Sequence, residues 1–231
     1  ETFGGALLSR IESSTIIERS TFSNNQATGD ATSVTGGLGL ADFNAVTMTN
    51  STISGNEAGG SRGGLSLAPR ATINGGAGAR LTNVTITNNR SGTINTSATG
   101  GGLVIVNTDA PTALHNTIVA GNFRGNDNTI SDDIQGTLSA ISSYNLIGTG
   151  GSGGLTDAVN GNLVGVVDAG LEALADNFGR TFTHALKNGS PALDAGANAA
   201  PGISSIYQRG CPLLLAAASP AYFQLSDIGA F

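Results

Sequence analysis

One phrase is written four times along the chain. Its clearest copy is Thr47-Met48-Thr49-Asn50-Ser51-Thr52-Ile53-Ser54-Gly55-Asn56, with variants at Glu18-Arg19-Ser20-Thr21-Phe22-Ser23-Asn24-Asn25, Thr82-Asn83-Val84-Thr85-Ile86-Thr87-Asn88-Asn89 and His115-Asn116-Thr117-Ile118-Val119-Ala120-Gly121-Asn122. A second phrase keeps step with it: Gly36-Gly37-Leu38-Gly39-Leu40, Gly63-Gly64-Leu65-Ser66-Leu67 and Gly101-Gly102-Leu103-Val104-Ile105, with Gly4-Gly5-Ala6-Leu7-Leu8 ahead of the first copy. A period of about 30 residues, made of short β-rich runs split by Gly and Asn, is the mark of a solenoid. Strong helix formers are scarce and the apolar runs do not follow a 3.6 period, which excludes a helical repeat.

Aligned on Phe22, Ile53, Ile86 and Ile118, the copies place Ile17, Met48, Leu81 and Ala113 in a second apolar column five residues earlier. Strand side chains alternate sides, so an odd step implies a bend between the two columns. Leu38, Leu65 and Leu103 form a further column, with Leu40, Leu67 and Ile105 two residues on, as a strand requires. The fold expected is all-β: a right-handed parallel β-helix of about four to five coils, roughly 20–25 Å long at the interstrand spacing. Asn25, Asn56 and Asn89 follow the apolar position at a constant offset and are expected to form a hydrogen-bonded ladder at a coil corner, with Asn122 one residue out of step. The Gly-Gly pairs are expected in turns of positive φ. The variable stretches 29–35, 57–62, 68–79 and 90–100 read as loops leaving one edge.

A looser fifth coil is expected through Asp132–Leu138 and Tyr144–Gly148, and the period ends beyond the Gly-rich run 149–154. The chain therefore divides into repeats at 1–149 and a C-terminal module at 150–231, packed on the rod or capping it. Its one helix candidate is Ala169–Ala175.

With a net charge of -6, the chain offers no basic surface for nucleic acid or anionic membrane. No apolar run approaches the length of a membrane span. A single cysteine, Cys211, gives no disulfide framework and reads as a buried small hydrophobe. Catalysis on a β-helix needs carboxylates, or a basic residue beside calcium-binding acids, projecting from adjacent coils. The densest acidic spot is Asp127, Asp132 and Asp133, near Arg124, but acids do not recur one repeat apart. No catalytic residue and no cofactor is assigned, and the three aspartates stand only as metal-site candidates. His115 takes the place of Asn50 and Asn83 on the outward side of a strand, and His184 reads as a hydrogen-bonded packing residue. Asn-x-Ser/Thr sequons at Asn50, Asn83, Asn89, Asn95 and Asn188 are candidate glycan acceptors.

The C-terminal text is the most specific. In order it carries Ser143-Tyr144-Asn145-Leu146-Ile147-Gly148, Gly161-Asn162-Leu163-Val164-Gly165, Leu174-Ala175-Asp176-Asn177-Phe178-Gly179, Thr183-His184-Ala185-Leu186, Gly189-Ser190-Pro191-Ala192-Leu193-Asp194-Ala195-Gly196 and Asp227-Ile228-Gly229-Ala230-Phe231. With the repeats ahead of it, this resembles the bacterial surface-protein family named for its choice-of-anchor Q domain. It departs at Tyr207-Gln208-Arg209-Gly210-Cys211-Pro212-Leu213, where that family commonly has Asp-Gln-Arg-Gly-Phe-Pro-Arg. The resemblance implies an extracellular, cell-surface structural protein and supplies no catalytic residues. The chain opens at Glu1 on a repeat-like run and reads as a mature or trimmed product without an N-terminal cap. The function expected is end-to-end self-assembly into a fibre or sheath, with the chain itself as partner. A monomeric adhesin or glycan-binding stalk is the alternative, and a β-helix polysaccharide lyase or hydrolase is third.

Overall fold

The computed structural model describes residues 5–10, 14–30, 35–43, 45–69, 78–106, 110–210 and 226–230. Cys211 and the apolar run 213–218 lie outside them. Its first level holds β1 (Leu7–Arg10), β2 (Ser14–Glu18), β3 (Thr21–Ser23) and β4 (Gln26–Ala27), and its second β5 (Leu38–Phe43), β6 (Ala45–Ser54) and β7 (Glu57–Ala58). The third level is β8 (Leu65–Pro69), β9 (Gly78–Thr87) and β10 (Arg90–Ser91). The fourth is β11 (Leu103–Ile105), β12 (Thr112–His115), β13 (Ile118–Val119) and β14 (Phe123–Arg124). Then come β15 (Ile130–Ser131), β16 (Ile134–Gln135), β17 (Leu146–Ile147) and β18 (Leu163–Val164).

These stack as a parallel β-solenoid with three faces. The first runs β1-β5-β8-β11-β16, the second from β2 and β3 through β6, β9, β12 and β13 to β17 and β18, and the third β4-β7-β10-β14. Four levels carry all three faces, joined by three full turns. Above them β15 turns antiparallel on β14, so the third face ends and the last coils are partial. The regular part is thus slightly shorter than the four to five coils expected. Two strands of the third face, Glu57–Ala58 and Arg90–Ser91, lie in stretches that the sequence presents as loops, because two-residue strands show no periodicity.

The predicted columns are in register. Ile17, Met48 and Leu81 pair in sequence, as do Phe22, Ile53 and Ile86, and Leu38, Leu65 and Leu103. Met48, Ile53, Leu65, Leu81, Ile86 and Leu103 are fully buried, each contributing about 1.5–3 kcal/mol. The bend between the columns has a left-handed residue at every level: Arg19, Asn50, Asn83, Asn116 and Tyr144, with φ from 44° to 54°. Asn tolerates this backbone best, which explains its recurrence there.

The fourth copy needs correction. Leu114, not Ala113, pairs with Leu81, and Val119, not Ile118, pairs with Ile86. Ile118 therefore points outward, since a one-residue slip reverses a strand's faces. The same shift brings Asn122 into step with Asn89 and sets His115 opposite Thr82 rather than Asn83.

The stack continues beyond residue 150, because β18 pairs with β17 through Leu146↔Leu163. After β18 the chain becomes a strap along the outside of the second face. The strap begins with an antiparallel hairpin, β19 (Leu171–Ala175) and β20 (Thr183–Leu186). The helix expected over Ala169–Ala175 is thus a strand. So short a helix forms poorly alone, and the partner strand satisfies its backbone instead. Under the strap lies a second core of Ile118, Leu146, Ala169, Ala192 and Ile228.

Candidate functional site

Two polar columns organise the rod. At the corner between the second and third faces, Asn25 Nδ2 donates to Asn56 Oδ1 at 2.8 Å. Asn56 Nδ2 donates to Asn89 Oδ1 at 2.9 Å, and Asn89 Nδ2 to Asn122 Oδ1 at 2.9 Å. Each oxygen also accepts the backbone N–H of the Asn one level down, at 3.1 Å, which fixes the orientation of every amide. Asn56, Asn89 and Asn122 are wholly buried. The predicted ladder is present, and it is one rung longer than predicted.

The Gly-Gly pairs make room for it. None of Gly36, Gly37, Gly63, Gly64, Gly101 or Gly102 has a positive φ, contrary to expectation. A Cβ on Gly64 would stand 2.9 Å from Asn89 Cγ and 2.7 Å from Gly102 O, and one on Gly102 would stand 2.8 Å from Asn122 Cγ. Close approach, not turn geometry, requires these glycines.

At the fifth level the two residue types change places. Asp133 stands where Gly102 stands one level down, and Gly150 where the ladder calls for Asn. The Asp133 carboxylate fills the gap: Oδ1 accepts Asn122 N and Nδ2 at 2.9 and 3.0 Å, and Oδ2 accepts Gly150 N at 2.9 Å. Burial pushes this carboxyl above its ordinary range, opposed by the N–H groups of Asn122 and Gly150. The other metal-site candidates lie elsewhere. Asp132 accepts Gly100 N at 2.7 Å, and Asp127 accepts the Thr129 hydroxyl in an exposed loop. Among the described residues no group of three or more His, Cys, Asp or Glu is placed to hold a metal.

Burial also revises the glycan acceptors. Asn50, Asn83 and Asn89 are inside the protein, so their sequons are closed in the folded chain. Asn95 is half-buried and Asn188 exposed, so these two remain accessible.

The second polar column follows the bend and is completed by the strap. Asn50 Nδ2 donates to Ile206 O at 2.6 Å. Asn116 and Ala197 bond reciprocally, Nδ2 to O at 2.9 Å and N to Oδ1 at 2.8 Å. Thr82 Oγ1 donates to Pro201 O, and Thr85 Oγ1 accepts Ala230 N. Buried Gln208 accepts the Thr52 hydroxyl at 2.9 Å and donates to Thr21 Oγ1 and Thr181 Oγ1. His184 is locked between Glu172 O, 2.7 Å from Nδ1, and Ser54 Oγ, 2.8 Å from Nε2. Its packing role is as predicted, and burial holds it below the usual imidazole range. His115 is buried too, with Nδ1 2.9 Å from Ser143 Oγ and Nε2 without a partner among the described residues. The first column is visible in the sequence because like residues repeat. The second is hidden there because its partners lie in non-repeating text.

Among the described residues no helix is long and apolar enough to cross a membrane. No family model matches the chain, and neither a curated protein nor a solved structure matches it.

Proposed function

We propose that the chain is a secreted, cell-surface structural protein that stacks head to tail into an extracellular fibre or sheath. The observation that supports this reading is the state of the two ends of the solenoid. Among the described strands, β1, β2, β3 and β4 pair on one side only, and so do β16 and β18. The first-level strands therefore carry unpaired backbone groups and are a template for another chain, while at the last level Ile134 N already donates to Gly150 O and Val164 N to Asp157 Oδ1. Apolar side chains accompany both ends: Leu7 and Ile16 (71% exposed) on the first level, and Ile141 (68% exposed), Tyr144 and Val159 near the last. The two ends differ, so contact between them is heterologous and propagates as an open filament. The sequence resemblance to a family of repetitive surface proteins points the same way. No catalytic residue is assigned in this reading.

Electron microscopy and light scattering of the purified protein test it. Fibres are expected, with an axial repeat near one stacked chain, roughly 25–30 Å for about six levels. Changing Ile16 and Ile141 together to Lys is expected to return the material to single-chain mass. A wild-type preparation of uniform single-chain particles overturns the proposal.

A further inference from the structure

On the outside of the first face, between the third and fifth levels, lies an open groove of about 500 Å³. That volume falls within the ordinary ~300–1,000 Å³ range for small-molecule sites. Val104 of β11 and Gln135 of β16, paired across the sheet, form its floor. The segment carrying Asn95, Ser97 and Thr99 makes one wall, and Arg62 stands at the turn before β8.

Arg62 is unusual on two independent counts. Its backbone is left-handed, φ 71°, at the place where the next level has Gly100, φ 92°. Glycine adopts that conformation freely and arginine does not, so the chain holds a strained backbone at Arg62 where its own neighbour shows the relaxed solution. Its guanidinium, half-buried on the groove, makes no hydrogen bond or ion pair with any described residue. Burial holds it below the usual arginine range, with no carboxylate opposing that shift. A partly desolvated cation without a partner favours an anion supplied from outside.

The rest of the lining narrows the chemistry. Asn95 Oδ1 accepts Ser97 N at 3.2 Å, and Gln135 Oε1 accepts the Thr99 hydroxyl at 3.1 Å. Both amide NH2 groups are thereby left as donors without partners among the described residues. Ser61 and Ser97 add hydroxyls, and Val104 offers an apolar patch suited to the C–H face of a ring. A single guanidinium in a chain of net charge -6 fits one carboxylate rather than a polyphosphate. We propose that this groove binds a carboxylate-bearing sugar, with Arg62 forking onto the carboxylate and Asn95 and Gln135 donating to ring hydroxyls.

Calorimetric titration with trigalacturonate and trimannuronate, their neutral reduced counterparts and inorganic phosphate tests this site. At least one uronate is expected to bind in the micromolar to millimolar range, with the neutral sugars and phosphate at least tenfold weaker. The Arg62→Gly variant adopts the backbone without strain, so it is expected to melt no lower than the parent while losing uronate binding at least tenfold. Gln135→Ala is expected to lose it several-fold. Failure of both uronates to bind at millimolar concentration, or equal binding by Arg62→Gly, overturns the proposal. Phosphate or neutral sugar binding as tightly as the uronates overturns the assignment of ligand class.

Discussion

At the corner between the second and third faces, Asn25, Asn56, Asn89 and Asn122 find their partners in one another. At the bend within the second face, Asn50 and Asn116 belong to the same repeats and have the same side chain, yet their partners are Ile206 and Ala197 on the strap. The first column is closed by repetition and needs nothing from outside the solenoid. The second is closed by text that occurs once. Asn83, midway along it, donates to Asn50 Oδ1 while its own oxygen has no partner among the described residues. A repeat can therefore satisfy an interior column by copying itself, while an outward column needs a separate device to bury it.

The largest test of this contrast is Asn89→Ala. It removes the acceptor of Asn56 N and Nδ2 and the donor to Ile53 O and Thr87 O, all deep in the rod. With buried groups orphaned at ~1–3 kcal/mol each, a loss of about 3–5 kcal/mol is expected in urea unfolding. A loss below ~1 kcal/mol would show that the ladder is not what holds this corner.

Gln208→Ala strikes the other column. It releases hydrogen bonds to Thr52, Thr21 and Thr181, and about 1–3 kcal/mol is expected. The sharper readout is hydrogen exchange: faster at the strap and at Thr21 and Thr52, unchanged at Asn56 and Asn89. Equal loss of protection at both would mean that rod and strap open as one unit.

The smallest effect is one of pH. Burial lowers the imidazole pKa of His184 from 6.5, so the neutral ring is the one the fold accommodates. The stability it lends is complete above pH 6.5 and is lost as pH falls from there through the depressed folded value. His115, lowered by burial and then by Arg80, acts in the same direction. Buried Asp133 and half-buried Asp227 are raised from 3.8 by burial, and they act in the opposite direction, adding stability as pH falls. Melting temperature is expected to fall between about pH 7 and pH 5.5, with a shallower slope in His184→Gln. An identical slope in that variant would remove His184 as the cause.

The solenoid is legible in the sequence because a column writes the same residue type at the same offset, as Met48 and Leu81 or Asn56 and Asn89 do. Where a residue's role is set by something non-repeating, the alignment misleads. It puts Ile118 inside, although Val119 fills that column and Ile118 faces Ala169, Ala192 and Ile228. Asp133 reads as a possible metal ligand because nothing in its local sequence shows that Gly150 has vacated an asparagine's place. The third face escapes notice because two residues carry no period.

The ladder also has a direction. Every rung donates toward the later level and accepts from the earlier one, so its amide dipoles add along the axis. The donor end is met by a carboxylate, Asp133, much as an acidic residue complements the amino end of a helix. The other end stops at the Asn25 side-chain oxygen, which receives no rung below it among the described residues. Two first levels brought face to face would set oxygen against oxygen. The rod is thus vectorial, with a bare side-chain oxygen at its first level and a carboxylate cap at its fifth.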